Sequence, residues 1–338
     1  MKLVIGATGF LGSRVVRLLL ADGERVRVLV RASSDTSALD ELDVERVVGE
    51  LTDATTVAAA MRGCEVVFYC AVDTRAWLRD SAPLYATNVT ALNAVLDVAV
   101  AAGLDKFVFT SSMATIGRRD GHPVDETAEF DWDAAANDYV RTRVAGERAV
   151  LEAVRSRGLP AVAMCVANTY GEGDRQPTPH GSFVAGAALG KLPFTVRGLR
   201  SESVGVDDAA RALVLAGAHG RPGERYIVAE RSIDLGEVVA LAAEAGGRPV
   251  PRLVLHRYVL LLVGAAGSAL AWVTGRAPRL TLPTVRLMYV MSPMSHAKAE
   301  QELGWRPAPV TEAIAAGARE WVARRTARAG EREQDRTR

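Results

Sequence analysis

The chain has 338 residues, 49% of them apolar, with 41 basic side chains against 40 acidic ones and a formal net charge of +1. That size and apolar content allow one large α/β unit, or two closely joined lobes, around a sizeable core. The even charge balance excludes a nucleic-acid binder, which needs a concentrated basic face. The cysteines Cys64, Cys70 and Cys165, with no CxxC pair, exclude a disulfide framework or zinc site and fit a reduced, cytoplasmic setting.

Only three apolar residues follow Met1-Lys2 before Gly6, too few for a signal-peptide core. Through the first half, short β-branched runs alternate with longer helical patterns. Strands are predicted over 2–5, 26–31, 44–49, 66–70, 106–111 and 161–166, and helices over 10–21, 55–61, 84–102 and 138–156. The first helix places Leu11, Val15, Leu18 and Leu19 on one face. This order predicts an α/β, doubly wound parallel sheet covered on both sides. Beyond Gly171 the alternation breaks up among prolines and helices dominate, so a smaller, mostly helical C-terminal lobe is expected. The division predicted is 1–170 for the sheet domain, with 200–230 returning to it, and 171–199 plus 231–325 for the second lobe. The polar tail 326–338 is expected to be disordered.

The uncharged run 258–275 lies between Arg257 and Arg276. A spanning helix needs about 20 apolar residues, so the run reads first as a buried or pocket-lining helix, second as a membrane-surface contact and last as a true span.

Gly6-Ala7-Thr8-Gly9-Phe10-Leu11-Gly12 follows the first strand and opens the first helix. In that context Gly6 permits the tight turn, Gly9 lets the backbone approach a pyrophosphate, and Gly12 allows close helix–strand packing. The helix N-terminus attracts the anion. This is the fingerprint of a Rossmann dinucleotide site. At the end of the second strand, where NAD enzymes carry an acid for the ribose 2′-hydroxyl, stands Arg31 followed by Ala32-Ser33-Ser34. A guanidinium suits a 2′-phosphate, so NADP is favoured over NAD.

The GxxGxxG spacing resembles that of the extended short-chain dehydrogenase/reductase superfamily. Further segments carry the resemblance: Leu51-Thr52-Asp53, Val67-Phe68-Tyr69-Cys70-Ala71, Asn88-Val89, and Asp125-Glu126 after Pro123. It covers residues 1 to about 230 and continues more weakly to about 325. The resemblance implies cofactor contacts from Asp53 at the adenine, and from the strand ends Cys70, Ala71, Thr110 and Val166 and the loop residue Asn168 beside the nicotinamide. It implies a serine that polarises the substrate carbonyl, at Ser111 or Ser112 with the family register favouring Ser112, and Tyr139 as the proton-transfer residue. In that family a lysine four residues after the tyrosine, on the same helical face, holds the nicotinamide ribose. Here Arg143 stands in its place. Arginine supplies the positive charge, but its guanidinium is planar, bulkier and unable to relay protons.

Nucleotide-sugar enzymes of this superfamily commonly grip the diphosphate with an arginine five residues before the valine of a Val-x-Asp turn. Here that turn begins at Val206, the position holds Ser201, and Arg200 is one residue off register. On a strand this points the side chain to the opposite face. An aspartate of Asp207-Asp208 is expected to cap the helix that follows. His180, in the loop after the sixth strand, reads as structural before it reads as a substrate contact. The remaining histidines lack metal-ligand spacing, and no metal is expected. The favoured function is hydride transfer between NADP(H) and a secondary alcohol or ketone of an apolar small molecule. The alternatives are a nucleotide-sugar epimerase or dehydratase, and an NADP(H)-binding protein with little catalysis. A homodimer is implied by resemblance alone.

Overall fold

The computed structural model describes residues 1–78, 80–119, 122–175, 177–274, 281–287 and 292–336. Gln176, Gly275, Arg276 and the last two residues of the tail lie outside them. The N-terminal part runs β1 (Lys2–Ile5), α1 (Phe10–Ala21), β2 (Val26–Val30), β3 (Glu45–Val48), α2 (Ala54–Met61) and β4 (Val66–Tyr69). It continues through α3 (Ala82–Tyr85), a π-helical turn (Ala86–Ala91), α4 (Leu92–Ala101), β5 (Lys106–Ser112), α5 (Asp138–Arg157) and β6 (Ala161–Val166). Next come β7 (Asn168–Tyr170), α6 (Gly181–Ala188), β8 (Phe194–Val196), β9 (Arg200–Gly205), α7 (Val206–His219), β10 (Arg225–Val228) and β11 (Arg231–Asp234). The chain ends with α8 (Leu235–Ala245), β12 (Leu253–Leu255), α9 (Arg257–Thr274), α10 (Leu282–Leu287), α11 (Ala297–Leu303) and α12 (Val310–Arg336).

Seven parallel strands form the main sheet in the order β10-β6-β5-β4-β1-β2-β3. Because side chains alternate along a strand, β1 sends Val4 to one face and Leu3 and Ile5 to the other. Val4 joins a core with Val15 and Val16 of α1 and Leu213 of α7. Leu3 and Ile5 join Met61, Leu96 and Val150 of α2, α4 and α5. Helices therefore cover both faces, which is why these strands read as continuous apolar runs. The seventh strand, β10, returns from the far side of β9 and α7 and pairs with β6.

The second lobe packs α6, α8 and α12 around Val184, Val239 and Ile314, joined by Leu260 of α9. It holds the short sheets β11-β9-β7 and β12-β8. A return segment ties it to the first lobe: Val124 N–H donates to the Pro293 carbonyl at 2.8 Å, and Ser295 N–H donates to the Val124 carbonyl at 2.8 Å. The tail expected to be disordered is instead helical through Arg336 as the end of α12. Ala, Arg, Glu and Gln, which make up most of this stretch, are strong helix formers.

Candidate active site

The strand order reverses between β1 and β4, where doubly wound sheets hold their ligands. A cleft of about 1510 Å³ opens there. Gly6, at φ +82°, sits so close to the β4 loop that a Cβ would meet Ala71 N at 2.6 Å; one on Gly12 would meet the Gly6 oxygen at 2.2 Å. The first turn of α1 has no side-chain cap and no acidic residue. Its leading N–H groups have no intrahelical partner, so this cradle fits a dinucleotide pyrophosphate in both shape and charge.

Arg31 is exposed at the mouth, beside Ser33 and Ser34. Arg175, which sequence spacing does not single out, reaches from the loop after β7 to donate to Ser37 Oγ at the same mouth. Asp35 is there too, its carboxyl held below the usual range by hydrogen bonds from Ser37. Asp53 does not line the cleft. Its carboxylate accepts from Thr55 N–H at 3.0 Å and so caps α2, while Leu51 and Thr52 form the wall. One residue of register separates the two roles.

At the other end the cleft brings together Cys70, Ala71, Thr110, Ser112, Tyr139, Arg143, Val166 and Asn168. Asn137 caps α5, accepting from Val140 N–H at 3.1 Å, and so fixes where Tyr139 and Arg143 emerge. The two serines have different surroundings. Ser111 is buried and donates to Glu147, which also accepts from Thr115 Oγ1 at 2.8 Å and pairs with Arg225 at 3.1 Å. Ser112 is only partly buried, and its Oγ accepts from Ala114 N–H at 3.2 Å.

Arg143 is buried, donates to the Thr110 carbonyl, and stacks over Phe109 with 5.4 Å from Cζ to the ring centroid. Its Nε and the Tyr69 hydroxyl are buried and, among the described residues, unpartnered. Burial pushes the Tyr69 phenol well above the ordinary tyrosine range, against the pull of the Arg143 charge. Asn88, noted above only as part of a motif, is a clamp. Its side chain accepts from Asp73 N–H at 2.8 Å and donates to the Asp73 carbonyl and Thr142 Oγ1, both at 3.0 Å. The π-helical turn that carries it is a form often found at functional sites.

Phe183, Leu192, Leu199, Ile233, Leu235 and Val238 give the substrate end an apolar wall. Ser201 lines it, accepting from Asn168 Nδ2 at 2.9 Å, whereas exposed Arg200 turns away to donate to the Ser232 carbonyl at 2.8 Å. At the rim, Arg75 donates to both carboxylate oxygens of Asp73. His180 donates through Nε2 to the Thr169 carbonyl at 2.9 Å, and desolvation lowers its pKa to about 4, so it is neutral at pH 7. Within 258–274 no residue lines the cleft, so among the described residues the long apolar run is not a pocket wall. The expected aspartate cap is also replaced: Gly205 is the N-cap of α7, and Asp207 and Asp208 lie in its first turn, where they complement the helix dipole.

Residues 2–229 match the family described as the NAD dependent epimerase/dehydratase family. A putative dihydroflavonol 4-reductase of Synechocystis sp. is 30% identical over 92% of each chain. A 3β-hydroxysteroid dehydrogenase/Δ5→4-isomerase of Mycobacterium tuberculosis is 28% identical, covering 92% of this chain and 87% of its own. The crystal structure of gox2253 superposes with a TM-score of 0.84 at 34% identity, covering 96% of this chain and 98% of the other. With the glycine cradle at the switch point and this match across the whole sheet, the chain belongs to the NAD-dependent epimerase/dehydratase family, as an NAD(P)-binding enzyme of the extended short-chain dehydrogenase/reductase type.

Proposed function

We propose that this enzyme transfers a hydride between NADP(H) and a secondary alcohol or ketone on an apolar substrate of steroid, flavonoid or lipid character. The observation that carries the reading is the substrate end of the cleft. Its wall is apolar, Ser201 occupies the expected diphosphate-clamp position, and Arg200 faces away. A nucleotide sugar would leave its diphosphate against that wall with Arg75 at the rim already paired to Asp73, and an unpaired buried charge is strongly disfavoured. The names of the reductase and steroid dehydrogenase relatives support the same class.

When bound, the nicotinamide ring supplies or accepts the hydride. In the reductive direction Ser112 Oγ–H donates to the substrate carbonyl oxygen. The Tyr139 hydroxyl gives that oxygen its proton as carbon is reduced. Arg143, anchored on the Thr110 carbonyl, keeps a positive charge under this end of the cleft where the family lysine would stand. Ser111 is engaged by Glu147, which supports Ser112 as the acting serine. Arg31 and Arg175, with the serines between them, support preference for a 2′-phosphate.

Thermal-shift titration with NADPH present tests this reading. Apolar ketones and alcohols are expected to stabilise the complex and to drive NADPH oxidation or NADP reduction, and UDP- or dTDP-sugars are not. Micromolar binding of a nucleotide sugar that disappears in Arg200→Ala would replace the reading with the epimerase alternative.

A further inference from the structure

From Tyr258 to Val273 helix α9 carries no charged residue, yet only 11% of the helix is buried. Leu262 is 71% exposed, Trp272 77% and Val273 74%. Val259, Leu262, Val263, Leu270 and Val273 recur at helical spacing and so form one outward stripe. The opposite side holds the helix in place: Leu260 enters the core of the second lobe, and Gly264 faces Leu282 and Val285 of α10. A helix that is hydrophobic all round is normally buried in protein or lipid. Among the described residues, protein does not cover this one.

Charge identifies the occupant. Although the chain as a whole is balanced, residues 245–299 contain no Asp or Glu, and they carry six arginines and one lysine. Arg257 opens α9 with its guanidinium 5.0 Å from the centroid of the Tyr258 ring, and His256 lies against the same ring. Just before the helix, Leu253 and Val254 of β12 are exposed as well. Apolar side chains flanked by aromatics and cations, in a stretch of sequence without acidic residues, match the interface of an anionic bilayer. We propose that α9 is an interfacial docking helix that lays this protein on an anionic lipid surface.

Its attachments set the orientation. β12 pairs with β8 just before the helix and α10 packs against it just after, so both ends belong to one lobe on one side of the membrane. The helix therefore lies in the plane of the interface. This inference is independent of the reaction assigned above.

Vesicle sedimentation of the full chain tests it, comparing phosphatidylcholine vesicles with vesicles containing phosphatidylglycerol. Binding to the anionic vesicles is expected to be at least tenfold stronger and to weaken at high salt. Leu262→Glu and Trp272→Glu should each reduce it at least tenfold with an unchanged melting temperature. Arg252→Glu with Arg257→Glu should bring it down to the phosphatidylcholine level. Val48→Glu, at an exposed apolar site on β3, should leave it unaltered. The proposal is overturned if the protein stays in the supernatant with both vesicle types, or binds both equally. It is equally overturned if lipid-free protein forms a dimer that Leu262→Glu dissociates, since a second copy would then cover this face.

Discussion

Gly12→Ala separates the cofactor cradle from the general stability of the fold. An added Cβ would stand 2.2 Å from the Gly6 oxygen and 3.2 Å from Ala7 Cα. Carbon–oxygen contacts settle at about 3.3 Å or more, so the first turn of α1 must retreat by about 1 Å. Alanine returns about 1 kcal/mol of helix propensity, against about 1–3 kcal/mol for overpacking. Net destabilisation is therefore about 1 kcal/mol. The cofactor suffers more. Hydrogen bonds to a charged group contribute about 1.5–3 kcal/mol each, and losing one or two from the pyrophosphate weakens NADPH binding by about 100-fold. Gly23→Ala is the control. It replaces a glycine at φ +77° with nothing within 4 Å of the new Cβ, just beyond the other end of the same helix. It carries a backbone penalty of about 1–2 kcal/mol with no effect on the cradle. Fluorescence titration gives the two dissociation constants, and thermal unfolding gives the two stabilities. An NADPH Kd within threefold of the unaltered protein in Gly12→Ala, or an equal loss in Gly23→Ala, would refute the cradle assignment.

Tyr139→Phe should lower turnover by about 10²–10⁴-fold with NADPH affinity within twofold, measured by steady-state kinetics and titration. Arg31→Asp should reverse the preference for NADPH over NADH, read as the ratio of the two dissociation constants. A ratio that does not move would exclude Arg31 as the 2′-phosphate contact. Arg143→Lys should keep at least half of the turnover, because the charge remains, and should melt earlier because the stack on Phe109 is lost. The lowered pKa of His180 carries a sign. Between its folded pKa of about 4 and the ordinary value of 6.5, the unfolded chain binds more protons, so this contribution to stability is full above pH 6.5 and is lost as pH falls toward 4. His180→Phe should flatten the melting temperature over that window, and an unchanged slope would show that the imidazole is not desolvated.

The sheet was legible because its central strands are buried on both faces and carry their own apolar signal; β1 and β6 coincide with the predicted strands 2–5 and 161–166. The short strands of the second lobe were not. Arg200-Ser201-Glu202 and Arg231-Ser232-Ile233 carry no apolar run, and they become strands because each pairs with the other in β9 and β11. In the site, local motifs named the glycine cradle, Ser112, Tyr139 and Arg143, all of which line one cleft. Contacts set by tertiary approach escaped. Arg175 comes to Ser37 from 138 residues away, and Glu147 engages Ser111 across 36. Asp53 stands outside the cleft lining for a local reason, since an aspartate just before a helix satisfies the helix's free N–H groups.

The place of β10 in the sheet bears on how the chain is made. β6 is buried along all six residues and needs a neighbour on each side, yet one of them, β10, begins only at Arg225, after β7, α6, β8, β9 and α7. At 5–20 residues per second, a ribosome takes about 3–12 s to add the residues between them. Through that interval the nascent sheet carries an open, apolar edge, the kind that recruits strands from other chains. The same edge would persist in any fragment ending near residue 170, so such a fragment is expected to associate through it. The sheet's completion waits on the segment from β7 to α7 that precedes β10 in the chain.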